Sequence, residues 1–213
     1  ETPLAELRRY LNDWCNRIDA RYMAISLPPD FAYPDETGVG RLMQEAVYPT
    51  ARDRQIPTAM MVGVKRQGNP ELRDGGDGLG KWEIGNLERI ARDWPDVRFM
   101  ITILSRENQH ELCIAARKFP NITPFGCWWF LNNPSIIQEV TAERLELLGT
   151  SFIPQHSDAR ILDQLLYKWP HSKRAIAPVL TRKYEDLRNA GWPLTEADIK
   201  RDIGRMFGGG GLL

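Results

Sequence analysis

Five short apolar segments alternate with amphipathic segments of helical length, and this alternation constrains the fold of the chain more than any other feature. The apolar segments are predicted strands at residues 22–27, 56–64, 97–104, 121–130 and 150–156. They are nearly continuous in apolar residues, which is typical of parallel strands that are buried on both faces. The pattern therefore predicts an α/β protein whose parallel sheet is covered by helices.

Helices are predicted between and after these strands, at residues 4–18, 39–54, 83–93, 107–118, 134–148, 159–168, 173–190 and 195–207. Ser105 is a candidate N-cap for the fourth of these helices. Thr195 and Asp198 form a candidate capping box for the last one. The glycine-rich residues 65–81 predict a long loop, and long loops within compact domains are often functional.

Two architectures fit this order of elements: an open doubly wound sheet, and part of a (β/α)8 barrel. The sequence has no GxGxxG segment after a strand, and no GxxxxGKS or GxxxxGKT segment. A nucleotide-binding doubly wound fold therefore has no local support. In both architectures the functional side chains lie at the carboxyl ends of the strands, which is where candidate residues are sought.

Charge and cysteine content exclude several classes of protein. The 28 Lys and Arg residues balance the 28 Asp and Glu residues, whereas a general nucleic-acid binder needs a clustered excess of positive charge. No apolar run reaches the roughly 18 residues of a membrane span. The three cysteines form no CxxC pair, which argues against a disulfide framework and against a cysteine-based zinc site. A location in the reducing cytoplasm is therefore expected.

The last predicted strand is followed by the most informative polar group, His156, Asp158 and Arg160. If the backbone stays extended, Asp158 and Arg160 point the same way. A carboxylate can then bind a metal or act as a base, and the guanidinium can bind an anion. The alternative is that Asp158 caps the following helix and pairs with Arg160 at the surface. The position of His156 is equally compatible with a structural role and with a role in the site.

Two other strand ends carry candidate residues. Arg106 follows the third predicted strand, where it either reaches into the site or lies solvated on the first helical turn. Trp128 and Trp129 are adjacent and would face opposite sides of the fourth predicted strand. One of them would line a cavity while the other packs under the helices; alternatively, both belong to the core.

Several motifs resemble those of one enzyme family. They are GCWWF at residues 126–130, NNP at 132–134, LLGTSF at 147–152 and SDAR at 157–160. Their order and spacing are similar to those of the C-terminal half of uronate isomerases, also called glucuronate isomerases, of the amidohydrolase superfamily. Residues 104–112 and 153–157 resemble a divergent, Bacillus-type branch of this family.

The resemblance implies a fold and a reaction. The fold is the C-terminal part of a distorted (β/α)8 barrel, with strands four to eight in residues 1–170 and a helical appendage in residues 171–213. The reaction interconverts D-glucuronate with D-fructuronate, and D-galacturonate with D-tagaturonate, by proton transfer between C1 and C2. The implied substrate is a hexuronate and the implied cofactor is a divalent metal, with zinc as the favoured ion.

The resemblance also implies roles for individual residues. Asp158 corresponds to a metal ligand that helps to move the proton, and Arg160 to the group that stabilises the enediolate. Arg106, Trp128 and His156 are then substrate-binding residues.

A complete barrel needs about 250 residues, so we expect the first three strands and the family's HxH motif to be absent. Met61 stands where the better-known branch has a histidine, so no metal ligand is expected there. The closing glycines, a poor helix end, suggest truncation at that end too. The isolated chain is expected to be inactive and, through its exposed strand edges, to aggregate or form a homo-oligomer. Two alternatives remain: a metal-dependent hydrolase of the same superfamily, and a non-catalytic barrel fragment.

Overall fold

The computed structural model describes residues 3–208, which form two compact units, residues 3–123 and residues 124–208. Each unit has its own hydrophobic core. Residues 1–2 and 209–213 lie outside the described part. The closing glycines that suggested truncation fall mostly in that last segment.

The first unit alternates helices and strands, as predicted. Its helices are α1 (Pro3–Arg17), α2 (Gly38–Leu42), α3 (Tyr48–Arg54), α4 (Ile84–Asp93) and α5 (Gln109–Lys118), and a π-helical segment, Met43–Val47, joins α2 to α3. Its strands are β1 (Met23–Leu27), β2 (Thr58–Val62), β3 (Val64–Lys65), β4 (Gly78–Leu79), β5 (Phe99–Ile103) and β6 (Ile122–Pro124). The four predicted helices of this unit and the first three predicted strands are confirmed.

A four-stranded sheet in the order β1-β2-β5-β6 forms the centre of the first unit. β1 pairs with β2, and β2 with β5, in parallel, which confirms the predicted α/β class. One face, with Met60 and Ile101 in register, packs in the core with the helices. The opposite face carries Ser26, Met61 and Thr102 in register. Among the described strands β1 pairs with β2 alone, so one edge of the sheet is open.

The glycine-rich residues 65–81 are more regular than the predicted loop. β3 and β4 pair as a short antiparallel hairpin, and a 3-10 helix, Pro70–Gly76, lies between them. Asp77 organises this connection. Its buried carboxylate accepts hydrogen bonds from Gln67 N at 2.8 Å and from Arg66 Nη1 at 2.5 Å.

The second unit is mainly helical. Its elements are a 3-10 helix (Trp129–Leu131), α6 (Pro134–Leu148), a second 3-10 helix (Leu162–Gln164), α7 (Leu165–Asn189) and α8 (Glu196–Phe207). Ile137 of α6, Ile176 of α7 and Phe152 are central to its core. The capping box of Thr195 and Asp198 is present as predicted. Along residues 3–208, no helix has the length and apolar character needed to cross a bilayer.

The fourth and fifth predicted strands are largely wrong. The fourth ends at Pro124, and Gly126 then adopts a φ of +61°. The fifth is reduced to a single parallel bridge between Phe125 and Ile153. Proline is the physical reason, because Pro124 and Pro154 lack the N–H that a continuing ladder requires.

The two helices predicted on either side of Pro170 are in fact one. α7 runs through both Pro170 and Pro178, and the predicted start at residue 159 is replaced by the 3-10 helix that begins at Leu162. Pro170 removes the hydrogen bond to the carbonyl oxygen of Leu166. Leu166 is 79% exposed, and the helix continues past the proline.

Candidate active site

An open depression of about 500 Å³ lies at the carboxyl ends of β1 and β2. Its lining includes Pro28, Asp30, Val64, Lys65, Arg66 and Lys81. Arg66 is paired with Asp77, so Lys65 and Lys81 against Asp30 leave a small net positive charge, which suits an anionic ligand. A Cβ at Gly80 would come within 2.7 Å of the Pro29 side chain, so the close approach of these two segments requires glycine.

Arg106 lies at the carboxyl end of β5, exposed at the start of a 3-10 turn, Arg106–Asn108. Ser105 does not cap this turn, because its hydroxyl donates instead to the Glu107 carboxylate at 2.6 Å. That hydrogen bond is the main reason the pKa of Glu107 is lowered, and the charges of Lys81 and Arg106 lower it further. The carboxyl end of β5 is therefore followed by an ionised carboxylate, that of Glu107, which interacts with the charges of Lys81 and Arg106.

Gly126 and His156 lie against each other in the second unit. The bridge between the two segments is closed by a hydrogen bond from Gly126 N to Ile153 O at 2.7 Å. A Cβ on Gly126 would overlap the Cβ of His156, and the φ of Gly126 is +61°, so glycine is required on both counts. The imidazole of His156 packs edge-on against Phe125, with ring centroids 5.1 Å apart.

The imidazole of His156 has a ring nitrogen without a hydrogen-bond partner in the second unit. Its Nδ1 is buried and has no hydrogen-bond partner among residues 3–208. Burial is the main cause that lowers the pKa of His156; the Asp158 carboxylate opposes the effect and Lys168 adds to it. The ring is therefore neutral at pH 7, so one of its nitrogens can donate a hydrogen bond and the other can accept one. Buried polar atoms without partners are rare in folded proteins.

Arg144 supports this segment and was not among the predicted site residues. It is 1% exposed, and its Nη1 donates to Gly126 O at 2.9 Å. Its guanidinium also lies 6.0 Å from the ring centroid of Phe152. The sequence did carry a signal: Arg144 falls on the apolar stripe of its helix, seven residues after Ile137 and four after Val140. A charged residue on such a stripe predicts a buried polar contact.

Asp158 and Arg160 are both exposed in an irregular segment. Asp158 has a φ of +47°, so the extended backbone that would point both side chains the same way is absent. The capping alternative is also wrong, since Ile161 holds the N-cap position of the following 3-10 helix. The segment is tied down through its backbone: Lys168 Nζ donates to Asp158 O at 2.7 Å, and Arg160 N donates to Gln164 Oε1 at 2.9 Å.

The two adjacent tryptophans have different environments. Trp128 is 5% exposed, whereas Trp129 is 38% exposed, so the alternative that both belong to the core is wrong for Trp129. A 3-10 helix rather than a strand begins at Trp129. Trp129 stacks on Phe130 with centroids 4.6 Å apart and an angle of 14° between the rings.

The predicted site residues do not form a complete metal site within residues 3–208. Among residues 3–208, no group of three or more His, Cys, Asp or Glu side chains is placed to hold a metal ion. A zinc site needs three or four protein ligands. The carboxylate of Asp158 is of a suitable chemical type for a metal ligand, and further ligands would be needed to complete a site around it. Trp128 and Arg160 also belong to this unit, and Arg106 belongs to the first.

Comparison with known proteins gives one consistent result. No protein-family model and no curated protein sequence matches the chain. Among solved structures, 96% of the chain is similar to 48% of a uronate isomerase from Bacillus halodurans C-125, with 53% identity and a TM-score of 0.92.

Two more distant structures share the fold. A uronate isomerase from Thermotoga maritima matches at 14% identity with a TM-score of 0.73, over 92% of this chain and 49% of that chain. A glucuronate isomerase from Caulobacter crescentus matches at 15% identity with a TM-score of 0.78, over 96% of this chain and 49% of that chain. The chain thus spans about half the length of each of these proteins.

Proposed function

We propose that this chain, which matches one half of a uronate isomerase in sequence and in fold, is the C-terminal half of such an enzyme. The observation that carries the proposal is the 53% identity over 96% of the chain. The proposed reaction interconverts D-glucuronate with D-fructuronate, and D-galacturonate with D-tagaturonate, by moving a proton between C1 and C2.

The sheet of the first unit supports a (β/α)8 barrel as the complete fold. The face with Ser26, Met61 and Thr102 lies opposite the face that packs with the helices, as the inward face of a barrel does. The open edge of β1 offers backbone groups to a further strand. In this proposal residues 1–170 supply strands four to eight, and residues 171–213 supply the closing appendage.

The proposed chemistry lies at the end of the last barrel strand. Asp158 carries the proton between C1 and C2 of the open-chain sugar. Arg160 stabilises the negative charge that develops on the enediolate oxygen. His156, neutral because burial lowers its pKa, binds a substrate hydroxyl through its ring nitrogen. The exposed, irregular backbone at Asp158 leaves room for ligands from the other half to fix its position.

Substrate binding is proposed for two further residues. The hexuronate carries one carboxylate, and Arg106, exposed at the end of β5, is a suitable partner because guanidinium and carboxylate groups form paired hydrogen bonds. Trp128 supplies an apolar wall for the sugar. A divalent cation, with zinc as the proposed ion, would be held by Asp158 and by ligands from the other half. When bound, it would polarise the substrate oxygens.

The test places this chain in the Bacillus halodurans enzyme, in place of the segment that it matches. This chimera should form ketose from D-glucuronate. An Asp158→Asn change should lower the rate at least about a hundredfold, because it removes the proton carrier. The matched control is Asp163→Asn, at an exposed position five residues away, which should retain the rate.

Two results would contradict the proposal. One is a folded, metal-loaded chimera that forms no ketose from D-glucuronate or D-galacturonate. The other is release of a hydrolysis product from a lactone or amide without uronate turnover, which would favour the hydrolase alternative.

A further inference from the structure

We infer that Trp82 and Asn108 are positioning residues that hold the turn carrying Arg106 against the segments that follow β1 and β2. The inference rests on the proposed function only through the substrate role of Arg106. It goes beyond that function because neither residue reaches the substrate.

Asn108 pairs with the backbone of Trp82 in both directions. Its Oδ1 accepts a hydrogen bond from Trp82 N at 3.0 Å, and its Nδ2 donates to Trp82 O at 2.8 Å. Asn108 is 3% exposed, so water cannot replace either bond. A primary amide has both the donor and the acceptor that this pairing needs. Aspartate would set a second acceptor against Trp82 O and against the Glu111 carboxylate, to which Nδ2 also donates at 3.1 Å, and the buried carbonyl would lose its partner.

Trp82 extends the connection to the loop after β1. Its Nε1 donates to Phe31 O at 2.7 Å, and the two ring centroids are 6.3 Å apart. Farther along the same loop, Asn86 Oδ1 accepts from Tyr33 N at 3.0 Å, and Arg89 Nε donates to Tyr33 O at 2.8 Å. The loop after β1 is therefore bound through its backbone to Trp82 and to the first two turns of α4.

These contacts join three strand ends that carry charge. Lys81 immediately precedes Trp82, and Arg106 lies two residues before Asn108. The charge of Lys81 contributes to the lowered pKa of Glu107, so the two segments are near enough to interact electrostatically. If the pair of Asn108 and Trp82 shifts, Arg106 moves relative to Lys81. Misplacing a group that binds the carboxylate equally in ground and transition states raises KM and leaves kcat nearly unchanged.

The amino ends of the strands, opposite to the proposed site, offer a matched control. Asn121, which directly precedes β6, is another asparagine whose side chain bonds to backbone, although it is only partly buried. Its Nδ2 donates to the carbonyl oxygens of Ala91, Trp94 and Val97 at 3.0, 3.1 and 3.2 Å. It lies at the amino ends of the strands, away from the proposed site. A change to aspartate there removes the same kind of hydrogen bond without touching the turn that carries Arg106.

The experiment compares Asn108→Asp, Asn121→Asp and Trp82→Phe in the chimera, at a temperature where circular dichroism shows each variant to be folded. Asn108→Asp should raise KM for D-glucuronate about tenfold with kcat within about twofold, and Asn121→Asp should leave both within about twofold. Trp82→Phe keeps the ring but loses the bond to Phe31, and should raise KM about threefold.

The outcomes separate this inference from the proposed function. Equal KM changes in Asn108→Asp and Asn121→Asp, or none in either, would overturn the inference. If Asn108→Asp does not fold, an unchanged KM in Trp82→Phe overturns it.

An inactive wild-type chimera would instead overturn the proposed function. The positioning role is then decided by hydrogen exchange. Asn108→Asp should speed amide exchange at residues 105–108 more than Asn121→Asp does, and equal exchange would overturn the inference.

Discussion

The strand ends of the two units are held in place by different means. In the first unit, buried side chains such as Trp82 and Asn108 bind the backbone of the segments that carry charge. In the second unit, the segment with Asp158 follows a single parallel bridge and is fixed by hydrogen bonds from the half-buried Lys168 and to Gln164.

This difference indicates which part of the proposed site is built by the chain itself. A turn whose backbone groups are bonded to buried partners has its position fixed by the fold around it. Asp158 and Arg160 lie on exposed backbone with few such bonds, so their final position depends on what else contacts them. The comparison predicts large effects of substitutions at the few buried contacts of the second unit, and small effects at the exposed ones.

The largest effect is expected at Gly126 in the second unit. Gly126→Ala would overlap His156 and force alanine to a φ of +61°, which should cost about 3–4 kcal/mol of unfolding free energy in overpacking and backbone strain. Gly149 has the same φ but an open surrounding. The ψ of Gly149 is −120°, which lies outside the regions that L residues adopt, so Gly149→Ala should still cost about 2 kcal/mol in backbone strain. Urea denaturation of the chimera measures both, and equal losses would mean that the contact with His156 is not tight.

Arg144 should come next. Arg144→Met keeps most of the volume but leaves Gly126 O without its donor, and should cost about 2–3 kcal/mol. The control is Arg174→Met, because Arg174 is exposed and also bonds to a backbone carbonyl, that of Pro170. Arg174→Met should lower the free energy of unfolding by less than about 0.5 kcal/mol. Similar thermal midpoints for the two variants would show that burial does not distinguish these arginines.

A smaller effect is expected in the hairpin of the first unit. Asp77→Asn removes the charge that Arg66 Nη1 contacts, and should cost about 1–2 kcal/mol. Asp74, exposed in the same connection, is the control, and Asp74→Asn should change the free energy of unfolding by less than about 0.5 kcal/mol. If Asp77→Asn changes the free energy of unfolding as little as Asp74→Asn does, the Asp77 carboxylate does not organise the hairpin.

The smallest effect concerns pH. The pKa of His156 is lowered by burial, so the unfolded chain binds a proton that the folded chain does not. The associated stability is complete above about pH 6.5 and falls as the pH drops below it. His156→Gln should reduce the acid-induced fall in thermal midpoint, whereas His171→Gln in α7 should keep it. An unchanged acid slope in His156→Gln would show that the imidazole is not desolvated.

The sequence predicts best where local pattern and tertiary pairing agree. Apolar runs correctly predicted β1, β2 and β5. A proline at the first position and a glycine after the last one correctly predicted the bounds of α6, Pro134–Leu148. The fifth strand failed because an apolar run reports burial rather than pairing: Phe152 is 1% exposed, yet Pro154 interrupts the ladder.

The parts of the site that could not be predicted depend on distant pairs. Asn108 meets Trp82 across 26 residues, and Gly126 meets His156 across 30 positions of the sequence. No local spacing encodes such pairings. Asp158 and Arg160 were candidates because they follow the last predicted strand, and the motif resemblance gave them roles; the backbone at Asp158 is not the extended one that spacing suggested.

Proton transfer at C2 is the most direct test of the central claim that this chain is half of a uronate isomerase. The chimera would be incubated with D-glucuronate in deuterated water, and NMR would follow ketose formation and deuterium incorporation, at C1 of the ketose and, through the reverse reaction, at C2 of D-glucuronate. We predict that both appear with the wild-type chain and disappear with Asp158→Asn. A folded, metal-loaded chimera that gives neither exchange nor ketose, with D-galacturonate as well, would contradict the claim and leave a likeness of fold and sequence alone.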